Sequence, residues 1–190
     1  MEYAFDPKFV AAVSKAYGSP VFSGGLNAWG EMCIKSEDRG LCIIHPPCTN
    51  NWEVDQSFCD KKVFIELNDT ETIIKTIEEN NQRLSQKIFK MRIFVNILKG
   101  KFDIIGIKNY IHTEKNRCYL GLIFGENDSI ALERKSLLAF SPNEIRFWLK
   151  DESGEENKMC DGWKTYDSET VDKVVELVLE RLKWEPKRKK

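Results

Sequence analysis

Four potential metal donors cluster in the first third of the chain: Cys42, His45, Cys48 and Cys59. The run Cys42-x2-His45-x2-Cys48 is compact, and Pro46-Pro47 between its members bends the backbone. Zinc takes four such thiolate or imidazole ligands at tetrahedral angles. The usual zinc spacing, however, is a pair of C-x2-C steps, and the chain has none. The expected reading is therefore packing cysteines beside a surface histidine, with a zinc site as the alternative. Cys33, Cys118 and Cys160 have no nearby partner in sequence and read as packing residues.

A second group is Glu133-Arg134-Lys135 with Asp103 or Asp128 upstream. A carboxylate followed by Glu-x-Lys is the donor set of a metal-dependent nuclease. Two carboxylates there hold Mg²⁺, and the lysine helps activate water. On a strand, Glu133 and Lys135 would share a face. The spacing is poor, because Asp103 lies a whole expected strand away and Asp128 sits in a turn. A small nuclease using Asp103, Glu133 and Lys135 is the runner-up expectation.

The strongest signal is charge distribution. Formal net charge is only −1, yet nine basic residues fall between Arg83 and Arg117, opposed only by Asp103 and Glu114. Such asymmetry can build a one-sided field that net charge hides. Phe89, Phe94, Phe102, Tyr110 and Tyr119 are interleaved with these cations. Cations neutralise phosphates and aromatic faces stack on unpaired bases, so the pattern predicts a nucleic-acid-binding module. Arg83, Lys87 and Lys90 fall at helical spacing, and Arg146, Trp148 and Lys150 alternate along one strand face. These six are the expected contacts. A protein-interaction domain, with acidic and basic faces meeting a partner, is the third reading. The loop from Gly18 to Gly30 matches no phosphate-binding pattern. His112, the only histidine besides His45, reads as an idle turn residue.

These residues need elements to hold them. Asp6-Pro7 opens a first helix, with Phe9, Val10, Val13 and Tyr17 at helical spacing and Gly18 to close it. Short strands are expected at Glu31–Lys35, Gly40–Ile44 and Val63–Leu67, with residues 45 to 58 irregular around Pro46-Pro47. Asn68-Asp69-Thr70 caps a second helix with Ile73, Ile77, Leu84 and Ile88 on one face, ending near Met91. Five strands should follow, at Arg92–Leu98, Phe102–Ile107, Cys118–Phe124, Ile130–Phe140 and Glu144–Leu149, separated by short turns. Asp167-Ser168 caps a last helix with Val171, Val174, Val175, Val178 and Leu182 as its buried stripe.

The prediction is an α+β fold. A largely antiparallel sheet, a central meander of about five strands, is flanked by about three helices. One domain is expected over residues 1–185, with a basic tail at 186–190. At 42% hydrophobic and 31% charged residues, the chain is globular rather than disordered. No apolar run is long enough to span a bilayer, so no membrane partner is expected. The start, Met1 to Gly18, does not read as a secretory signal, so a reducing, cytoplasmic setting is expected.

Overall fold

A computed structural model describes residues 6–24, 31–59, 61–124, 134–150, 156–158 and 166–182. Among these residues the fold is α+β, with three helices and two antiparallel sheets. By its contacts the chain divides into two compact units, Met1–Ser85 and Gln86–Lys190.

The first unit opens with α1 (Pro7–Tyr17). The Asp6 carboxylate accepts the Lys8 N–H at 3.0 Å, Pro7 takes the first helical position, and Gly18 closes the helix at φ 80°. A meander follows: β1 (Val21–Gly24), β2 (Met32–Ser36), β3 (Leu41–His45), β4 (Asn51–Gln56) and β5 (Val63–Glu66), in sequential order. Strand β4 corrects the expectation of an irregular stretch after Pro46-Pro47. Trp52, Val54 and Gln56 turn inward, alternating with more exposed Asn51, Glu53 and Asp55. That period-2 pattern is a half-buried strand, and the two prolines merely precede it. Strand β1 likewise falls inside the stretch read as a loop. The core packs Val13 of α1 and inward residues of all five strands against Ile73 and Ile77 of the second helix.

That helix, α2 (Thr70–Ile104), has 35 residues and is the largest departure from expectation. Arg92–Leu98 is helical throughout, and so is the start of Phe102–Ile107; neither is a strand. Met91, Phe94, Val95, Leu98 and Phe102 recur at three- and four-residue steps and are all buried. Ile93 and Ile97, between them, are exposed. Apolar residues on the exposed side fill in the helical pattern, so that it resembles a buried strand. Lys99-Gly100, read as a turn, lies inside the helix. The helix ends at Gly106, φ 81°, where its N–H reaches Asp103 O and the Ile107 N–H reaches Phe102 O. This is a Schellman ending, which needs a left-handed residue at that position.

The second unit takes the rest of α2, then β6 (Lys108–Thr113), β7 (Cys118–Phe124), β8 (Arg134–Ser141) and β9 (Glu144–Lys150), edged by three-residue β10 (Glu156–Lys158). It closes with α3 (Ser168–Leu182), whose Thr170 N–H is capped by Asp167 at 2.8 Å. Strand β6 contains His112, so that residue is not in a turn. Val171, Val174 and Val178 of α3 join the α2 residues and Cys118, Leu120, Leu122, Leu138, Phe140 and Ile145 in one core. Each unit thus runs helix, antiparallel meander, helix, although the sequence shows no repeat.

Candidate nucleic-acid interface

Among the described residues of the second unit, the helices pack on one side of the sheet. Cys118, Leu120 and Leu122 point into the core, so Tyr119, Gly121 and Ile123 belong to the other face. The pairing register builds rows across that face. Tyr110 lies opposite Gly121, Gly121 opposite Leu137, and Leu137 opposite Trp148. His112 lies opposite Tyr119, Tyr119 opposite Ala139, and Ala139 opposite Arg146. Lys108 lies opposite Ile123, and Ile123 opposite Lys135.

The first row has a physical reason for its glycine. A Cβ built at Gly121 would sit 2.6 Å from the Tyr110 hydroxyl oxygen and closer still to Cζ and Cε1. The Tyr110 ring therefore rests on the bare Gly121 backbone. An aromatic laid across a cross-strand glycine restores the packing that the missing side chain forfeits. The ring is still 49% exposed. In the next row the His112 and Tyr119 rings stack, with centroids 6.0 Å apart and planes 30° from parallel. Lys108, His112, Lys115 and Arg117 line β6 and the turn after it, and all four are exposed. One carboxylate intrudes: Glu114 accepts from the Tyr119 hydroxyl at 3.4 Å and lies 3.9 Å from His112 Nε2.

The expected helical contacts lie elsewhere. Arg83 belongs to the first unit and is 3.9 Å from Glu79, its i,i+4 partner. Lys87 donates to Asn143 Oδ1 at 2.9 Å and is half-buried. Lys90 is exposed on α2, whose buried side packs on the core face of the sheet, so it lies across the unit from the Tyr110 row. Arg146, Trp148 and Lys150 are on β9; Arg146 and Trp148 continue the two aromatic rows in register, and Lys150 pairs with Glu156. The side chains of these three lie outside the described residues. The sequence missed Tyr110 and His112 as a site, because Lys108–Thr113 was not read as a strand. The Tyr110 and Gly121 pairing could not be found without register.

The other two donor sets do not assemble among the described residues. No three His, Cys, Asp or Glu side chains there could hold one ion. Cys42 is half-buried on β3, and burial, its largest influence, raises its thiol above the ordinary range. His45 Nε2 donates to Thr49 O at 3.0 Å, and the ring lies 5.3 Å from Trp52. Cys48 is exposed at φ 64°, and Cys59 lies beyond β4. Of the nuclease set, Asp103 occupies the last turn of α2 and not a strand. Lys99 bonds its Oδ2 at 2.6 Å and Asn109 its Oδ1 at 2.7 Å, which holds the carboxyl below its usual range. Glu133 and the Lys135 side chain lie outside the described residues, and so does Asp128. No described helix is long and apolar enough to cross a membrane.

No protein-family model matches the chain, and neither does any curated protein or solved structure.

Proposed function

We propose that the chain is a nucleic-acid-binding module that receives single strands on the uncovered face of its second sheet. The Tyr110 ring on Gly121 carries the reading. It is a flat, half-exposed aromatic surface at the edge-strand end of a cross-strand row, next to a stacked His112–Tyr119 pair. Unpaired bases stack on such surfaces, each worth roughly 1–3 kcal/mol by alanine substitution. Lys108, Lys115 and Arg117 at the edge supply cations for the backbone. A single strand suits this face better than a duplex, since paired bases offer no free ring face to a side chain. In this reading Trp148 and Arg146 extend the rows, whereas Lys87 and Lys90 contribute only to the long-range field.

Fluorescence anisotropy with a labelled single-stranded oligonucleotide, DNA and RNA in turn, tests the proposal. Binding should weaken as salt rises, with a log–log slope of about −0.7 per phosphate contact. A folded protein that binds neither strand at low salt would refute it.

A further inference from the structure

A groove of about 230 Å³ runs between α2 and α3, wholly within the second unit. Phe94 and Val171, both buried, line its floor. Ile93 and Ile97 line its α2 wall at 45% and 48% exposed. The Tyr166 ring stands edge-on to Phe94, with centroids 5.2 Å apart. Its hydroxyl donates to Ser141 O and, at 3.1 Å, to Glu144 O, which anchors the ring at the β8–β9 turn. The groove is therefore preformed. An apolar cavity of about 150 Å³ holds a benzene ring, and pockets for drug-sized ligands begin near roughly 300 Å³. The volume here suits one ring with a short substituent, or a chain of medium length.

Four charged side chains border the groove, and three are committed. Lys101 lies 3.1 Å from Asp172, which closes one end. Asp167 accepts the Thr170 N–H at 2.8 Å as the cap of α3. Lys90, about three turns before Lys101 along α2, is exposed at the other end and meets no carboxylate among the described residues. An apolar trough with one uncommitted cation at its end is complementary to a molecule with an apolar body and a single negative charge.

We propose that this groove binds a small apolar monoanion, a medium-chain or aryl carboxylate. Its body lies between Ile93, Ile97 and Val171, and its carboxylate meets the Lys90 ammonium. Removing the exposed isoleucine surfaces from water drives binding. The charge-assisted hydrogen bond at Lys90 selects the anion over a neutral or cationic analogue. A polyanion does not suit the groove, because apolar walls with one free cation cannot neutralise successive phosphates. A ligand of about ten non-hydrogen atoms binds in the high-micromolar to millimolar range at ordinary ligand efficiency.

Titration of octanoate into the isotopically labelled full chain, followed by amide chemical shifts, tests this, with octanol and octylammonium as matched probes. Saturable shifts should fall on residues 90–101 and 166–172. Octanoate should bind more tightly than octanol, and octylammonium most weakly. Lys90→Gln should bring octanoate down to the affinity of octanol and leave octanol unchanged. Ile97→Glu gives a result that misfolding cannot imitate. It sets a carboxylate in the wall at a half-exposed position, so octanoate binding should be lost while octylammonium comes to bind more tightly than either analogue. Absence of saturable shifts with millimolar octanoate, shifts confined to other residues, or a Lys90→Gln protein that still prefers octanoate to octanol would each overturn the proposal. None of these outcomes depends on oligonucleotide binding at the Tyr110 face.

Discussion

Adding one methyl group at Gly121 should displace the Tyr110 ring and, with it, the proposed stacking surface. The Gly121→Ala Cβ would sit 2.6 Å from the tyrosine oxygen and nearer to two ring carbons. Carbon contacts settle near 3.5–4.0 Å, so the ring must move by about 1 Å or more. Tyr110 is half-exposed and free to swing outward, so the fold should lose about 1 kcal/mol or less, the range of ordinary surface changes. Tyr110→Ala removes the ring outright. If a base stacks there, that change costs roughly 1–3 kcal/mol, a five- to 150-fold rise in dissociation constant. The double variant is the most informative of the set. Because Gly121→Ala acts only through the ring, it should add nothing once Tyr110 is alanine. Anisotropy titrations of wild type, both singles and the double at one fixed salt concentration complete the cycle. Additive losses, or a Tyr110→Ala protein within twofold of wild type, would refute the stacking argument.

Lys108→Glu should weaken oligonucleotide binding at every sequence and flatten its salt slope, whereas Lys87→Glu with Lys90→Glu should do so far less; paired salt titrations distinguish them. Glu114→Gln should tighten binding several-fold, since it removes the one described carboxylate beside the His112–Tyr119 stack, and the same titration reads it. Val174→Asp should destabilise by about 3 kcal/mol or more in chemical denaturation, because Val174 is fully buried, while Val175→Asp at a half-buried position should cost less. Tyr17 donates to Asp38 at 2.9 Å, and burial, followed by that bond, pushes its hydroxyl up to about 12. The unfolded hydroxyl ionises near pH ~10, so the stabilisation is whole below that pH and is lost as pH rises towards 12. After discounting for its partial exposure the loss should be about 1 kcal/mol, and Tyr17→Phe should flatten it in melts across that window.

Local capping was legible from sequence. Asp6-Pro7, Asp69 and Asp167 cap the three helices as their residue types require. The α3 stripe of Val171, Val174 and Val178 and strands β2, β3, β5, β7 and β9 also lie close to where composition put them. The long helix was not legible, because Ile93, Ile97 and Gly100 serve its exposed side. Helical periodicity assumes that exposed positions are polar, and here they are not. Cations among aromatics were legible in composition, which pointed to Arg83, Lys87 and Lys90 with Arg146, Trp148 and Lys150, whereas the face proposed here centres on Tyr110. Its position depends on cross-strand register, which pairs Tyr110 with Gly121 eleven residues away and which no local pattern encodes.

An amide chemical-shift titration of the isotopically labelled protein with a short single-stranded oligonucleotide would locate the binding face residue by residue. Shifts should concentrate on Lys108–Thr113 and Cys118–Ile123, largest near Tyr110 and Gly121, with the exposed side of α2 silent. Shifts confined to the helix around Lys87 and Lys90, or none at saturating oligonucleotide, would contradict binding on the sheet face.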